Sequence, residues 1–94
     1  MVKYDLTLYV LNNSVLSKRA IKNLDELANR DELKDQLNIT IIDISDKPEL
    51  AEQEKIMAIP VLIKKLPEPV QRIIGDLSDT DKVLFSLNMH LESE

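Results

Sequence analysis

The chain has 94 residues, 44% of them hydrophobic, and a net charge of −5, which suits one folded domain spanning the whole sequence. An acidic surface argues against nucleic acid, whose phosphates need a basic face. With no cysteine and one histidine, disulfides, dithiol exchange and cysteine metal clusters are excluded.

The N-terminus lacks a basic region followed by an apolar one, and the longest apolar run, Ile56 to Ile63, is interrupted by Pro60. Neither an export signal nor a membrane span is indicated, so the expected location is cytoplasmic. Leu6 to Leu11 reads as a buried strand. Asn12, Asn13 or Ser14 then caps a helix from Val15 to about Asn29, with Leu16, Ala20, Ile21, Leu24, Leu27 and Ala28 on its apolar face. Lys18, Arg19 and Lys22 fall on the opposite, solvated side. After the acidic stretch Asp31 to Gln36, Ile39 to Ile44 forms a second strand, making a parallel βαβ unit. Pro48 opens a short helix carrying Leu50, Ala51 and Met57 inward, with Glu49, Glu52, Gln53 and Glu54 outward. Pro60-Val61-Leu62-Ile63 begins a third strand.

The second half has two readings. Val70, Ile73, Ile74 and Leu77 make a helical stripe, yet Val70 to Ile74 is short, β-branched and bounded by Pro69 and Gly75, as a hairpin strand would be. In Lys82 to Glu92, Val83, Phe85, Leu87, Met89 and Leu91 alternate as in a half-buried strand, and only Leu84 breaks the pattern. Val83, Leu84, Leu87 and Leu91 also make a helical stripe, preceded by Ser78-Asp79-Thr80-Asp81, which resembles a capping box.

A strand–strand–helix ending gives the order βαβαββα, the thioredoxin arrangement. Ile59-Pro60 then stands where that fold places a cis-proline before its third strand. Where thioredoxins carry Cys-x-x-Cys this chain has Asn13-Ser14-Val15-Leu16, so oxidoreductase chemistry is out. A glutathione-binding variant would use Ser14 at a helix N-terminus, the Ile59-Pro60 backbone and the Asp76–Ser78 loop. The plainer reading makes Ser14 a helix cap, Pro60 a turn former and Ser78 a cap. His90 has no partner for metal ligation, and Glu49, Glu52 and Glu54 read as a solvated helix face. Lys64-Lys65, with Arg72 beyond, is the one local basic cluster, a solubilising group or a docking point for an acidic surface. No cofactor or metal is implied.

From Leu6 onward the chain resembles the KaiB family. The match runs through LTLYVLNNSVLSKRAIKNL, then IIDISDKPELAEQEKIMAIPVL, then LPEPVQRIIGDLSDTDKVL. The sensor domain of the kinase SasA is a relative, though LPEPVQRIIGDLSD looks more like KaiB. The resemblance implies a non-enzymatic regulator with two folds for its C-terminal half. One is a ground state, βαββααβ and usually tetrameric. The other is a monomeric, thioredoxin-like βαβαββα form that docks on a KaiC-like ATPase, displaces SasA and, where present, captures KaiA. The doubled period of the C-terminal half matches such a sequence, one pattern for each packing.

Residue by residue, the resemblance assigns ATPase docking to Arg19, Lys55, Ile56, Lys64 and Arg72, and the fold switch to Pro60, Gly75, Ser86 and Asn88. The family commonly has Gly-Leu-Asp where this chain has Ser86-Leu87-Asn88. Serine outranks glycine in a helix by roughly 0.5 kcal/mol. Asparagine removes a negative charge that would oppose the helix dipole by about 0.3–1 kcal/mol. Both changes favour the thioredoxin-like form. Thr40 replaces a family lysine on the second strand's edge, which weakens the case for KaiA. The other readings are a SasA-type sensor domain and a glutathione-binding protein in stress response.

Overall fold

The computed structural model describes residues 3–89; His90 and Leu91, used in the sequence reading, lie outside them. The elements are β1 (Tyr4–Val10), α1 (Val15–Ala28), β2 (Leu37–Asp43), α2 (Glu49–Gln53), β3 (Val61–Leu66), β4 (Gln71–Ile74) and α3 (Thr80–Ser86). The order is βαβαββα, the thioredoxin-like arrangement that the sequence favours. One sheet runs β2-β1-β3-β4. β1 and β2 are parallel from Tyr4↔Leu37 to Val10↔Asp43, whereas β3 pairs antiparallel with both β1 and β4.

Strand alternation divides the core between the two faces of the sheet. Tyr4, Leu6, Leu8, Val10, Leu62 and Ile73 meet Ala20, Leu24 and Leu27 of α1 and Val83, Leu84 and Leu87 of α3. Tyr9, Ile44, Val61 and Ile63 meet Leu50, Ala51, Ile56 and Ile59 on the other face, where α2 lies.

Among the three capping candidates for α1, Ser14 serves: its side chain accepts the Ser17 N–H at 3.2 Å. The inward stripe differs from the expected one, because Ser17 is buried while Leu16 and Ile21 are exposed. Ser17 Oγ accepts the Leu11 N–H at 3.0 Å, satisfying the backbone where β1 has ended. That polar role draws the helix round by part of a turn. β2 starts at Leu37 rather than Ile39, because β1 itself starts at Tyr4 and the parallel register extends to match. Leu33, inside the acidic stretch, is buried in the core.

α2 ends sooner than expected, and Met57, read as inward, is 94% exposed. The cause is local. Lys55 adopts φ 55°; its N–H donates to Glu52 O at 3.2 Å, and the Ile56 N–H donates to Ala51 O at 2.8 Å. This is a Schellman closure, and it returns Ile56, not Met57, to the core.

The structure takes one reading of each ambiguous segment. Residues 71–74 are a strand because β3 offers an open edge and Ile73 is buried beside Leu62. The Ile59–Pro60 peptide is cis, and the Gly75 N–H donates to Pro60 O at 3.0 Å. Gly75 has φ 126°, in the region that side chains avoid, which suits glycine at the end of β4. For α3, Asp79 is the N-cap, accepting the Lys82 N–H at 3.1 Å. A second Schellman closure ends it: Asn88 has φ 54°, its N–H donates to Phe85 O at 3.1 Å, and the Met89 N–H donates to Leu84 O at 2.9 Å.

Candidate functional site

Arg72 follows Gln71 on β4 and stands opposite Ile63, so its side chain projects to the α2 side of the sheet. There its guanidinium donates from Nη2 to Glu54 O at 2.6 Å and from Nη1 to Lys55 O at 3.1 Å. Lys65, two residues beyond Ile63 on β3, lies on the same side and pairs with Glu54 Oε1 at 3.2 Å. The turn after α2 is thus held from two strands. It presents Lys55 and Met57 to solvent while Ile56 packs half-buried against the core. Ile74, also exposed, continues this face along β4.

This surface unites only part of the docking set read from the sequence. Lys55, Ile56 and Arg72 lie together, whereas Arg19 is on α1, in the opposite helical layer. Lys64 corrects the expectation outright. It alternates with Leu62 toward the α1 and α3 side and is 1% exposed, so it offers no surface charge for docking. The apparent Lys64-Lys65 cluster is an accident of adjacency, since neighbouring residues of a strand point to opposite faces.

Arg19 has a different neighbour. Hydrogen bonds from the Ser78 hydroxyl and the Ser78 amide, with a smaller effect of the Arg19 charge, hold the Asp76 carboxyl below its ordinary value. Asn23 Nδ2 also donates to Asp76 O at 2.7 Å, tying α1 to the end of β4. A depressed folded-state pKa contributes stability above the unfolded value that is lost as pH falls through the folded one. Asp76→Asn should therefore flatten part of the acid loss of stability below about pH 4. Urea midpoints at neutral and acidic pH check this; an unchanged difference between the two would remove Asp76 from the account. Asp43 behaves alike, held down by the Ser45 hydroxyl and amide.

The features suggested for glutathione are engaged in folding. Ser14 Oγ is occupied as a cap, and Asp76 Oδ1 accepts the Ser78 N–H at 3.1 Å. Among the described residues, no group of acidic or histidine side chains is arranged to hold a metal ion. No described helix is long and apolar enough to cross a membrane.

Residues 7–89 match the KaiB domain. The chain belongs to the KaiB family. Similar proteins include the circadian clock protein KaiB3 of Synechocystis, 52% identical over 89% of this chain and 81% of that one. The circadian clock oscillator protein KaiB of Rippkaea orientalis is 47% identical over 95% and 85% of the two chains. These KaiB relatives bear the names of clock proteins, not of enzymes. Among solved structures, the N-terminal domain of Synechococcus elongatus SasA superposes with TM-score 0.72 at 22% identity, covering 100% of this chain and 91% of that one. Mitochondrial thioredoxin 3 of Saccharomyces cerevisiae gives TM-score 0.72 at 12% identity over 94% and 79%. At such identities the likeness is one of fold, and the thioredoxin-like architecture of this KaiB-family chain stands on it.

For a KaiB-family chain, what sequence reading missed is the pairing of Glu54, read as a solvated charge, with Lys65, read as part of a basic cluster, together with the bonding of Arg72 to main-chain carbonyls. No motif marks them. The one available signal was parity along the strands, which separates Lys65 from Lys64 and puts Arg72 with Ile74 once the strands are assigned.

Proposed function

We propose that this chain is a non-enzymatic clock-type regulator that docks on a KaiC-like ATPase through the face formed by Lys55, Ile56 and Arg72. Its family membership over residues 7–89 carries the reading. The thioredoxin-like form is the docking form, and the ground-state packing is its inactive alternative. The equilibrium between them gates binding, because a partner that recognises one form draws on that population alone. The left-handed Asn88 at the end of α3 supports a population resting mainly in the thioredoxin-like form. That form is monomeric, and the alternative packing assembles into dimers or tetramers.

A fold shared with the SasA N-terminal domain gives competition for one ATPase surface a physical basis. Capture of KaiA is not part of the proposal: Thr40 is an exposed, uncharged residue on the edge strand β2. Arg19 belongs to the proposal only as a contact at the margin.

The test is retention of a KaiC-like ATPase from host lysate by the tagged protein with ATP present. The expected result is that the ATPase is retained by the wild-type chain and lost with Lys55→Glu. If the folded wild-type protein retains none, the docking reading is wrong.

A further inference from the structure

The last carbonyls of a helix have no intrahelical partner and carry partial negative charge. At the end of α2 the carbonyl of its C-cap, Glu54, and that of Lys55, the left-handed residue just beyond the helix, are both taken by a single guanidinium from β4, at 2.6 and 3.1 Å. A planar fork with fixed donors can bridge two neighbouring acceptors, whereas the compact ammonium of lysine acts as a point charge and lacks that geometry. The bridged turn is the one in which Lys55 sits at φ 55° and Met57 is carried out into solvent. The fork also depends on strand pairing, since it is the register of β4 on β3, Ile63↔Arg72, that brings the side chain over α2.

We infer that Arg72 is a positioning residue: it fixes the pose of the Glu54–Met57 turn for docking instead of supplying a charge to the partner. The inference rests on the docking reading above and adds its regulation. The pairing of β4 sets the shape of a docking segment that ends earlier in the chain, before β3 begins. When residues 71–74 are not a strand, the fork is lost and the turn after α2 loses its clamp. A change of fold thereby alters a surface whose own sequence lies outside the switching segment.

Arg72→Lys and Arg72→Gln decide between positioning and direct contact. Affinity for the KaiC-like ATPase with ATP, the salt dependence of association, and amide exchange at Lys55 and Ile56 are the readouts. Both variants should weaken docking about tenfold, as expected for losing charge-assisted hydrogen bonds. Exchange at both amides should accelerate, while the salt dependence of Arg72→Lys stays that of the wild type. Amides of α3 should keep their protection in both variants, which separates loss of the clamp from global unfolding. Wild-type affinity in Arg72→Lys would overturn the inference and make Arg72 a charge contact. Unchanged exchange at Ile56 would overturn it as well. A wild-type chain that never binds the ATPase removes the docking reading, and accelerated exchange in the variants would still report the fork.

Discussion

Leu84→Ala should lower the free energy of unfolding by about 2–5 kcal/mol, and Phe85→Ala by no more than about 0.5 kcal/mol. The two residues are neighbours, so composition and position barely separate them. Leu84 is 9% exposed and belongs to the main core cluster, together with Met89, whose N–H closes α3 on the Leu84 carbonyl. Phe85 is 87% exposed. Truncating Leu84 removes both its transfer free energy and the filling of a packed site, while truncating Phe85 removes area already in water. Strand packing of the same segment predicts the opposite order. Phe85 then shares a face with Val83, Leu87 and Met89, and Leu84 falls outside. Urea midpoints of the two variants at constant slope measure the difference. A larger loss for Phe85→Ala would mean that the strand packing dominates at rest.

The second large effect should come from Asn88. It occupies the left-handed position after α3 at φ 54°, where a β-branched side chain collides with its own backbone. Asn88→Val should cost the thioredoxin-like form about 1–2 kcal/mol, and Asn88→Gly should favour it. Because about 1.4 kcal/mol is tenfold in population, the valine variant should shift a balanced pair of folds by roughly that factor. Chemical shifts of residues 80–86 read the helix directly. Equal helix content in the valine and glycine variants would show that the Schellman closure does not govern the equilibrium. Ser86, one residue before the helix cap Leu87, acts in the same direction by propensity alone and more weakly.

Arg72 and Lys64 show how differently the fold places two residues that the sequence groups together. Both were assigned to docking by the family resemblance. In the fold one bridges two main-chain carbonyls and the other is buried beneath the opposite layer. The consequence for mutagenesis is practical. A Lys64 variant that fails to dock reports on packing, because the side chain is buried where the partner would have to reach it.

The βαβ unit was legible because its signals are local: a run of strand formers from Leu6 to Val10, capping candidates at Asn12, Asn13 and Ser14, and an apolar periodicity through Leu24 and Leu27 all act within a few residues. The doubled period from Val70 to Met89 was legible too, though as a tie. Hydrophobic spacing records which residues seek burial and leaves open against what. Only the tertiary structure broke the tie. The free edge of β3 gave residues 71–74 a strand to pair with, and the sheet beneath gave Leu84 and Leu87 a core to face. The surface around the end of α2 depended still more on the fold. Lys65 reaches the Glu54 carboxylate and Arg72 the Glu54 and Lys55 carbonyls through strand register and a helix end, and such contacts between distant segments leave no periodic trace along the chain.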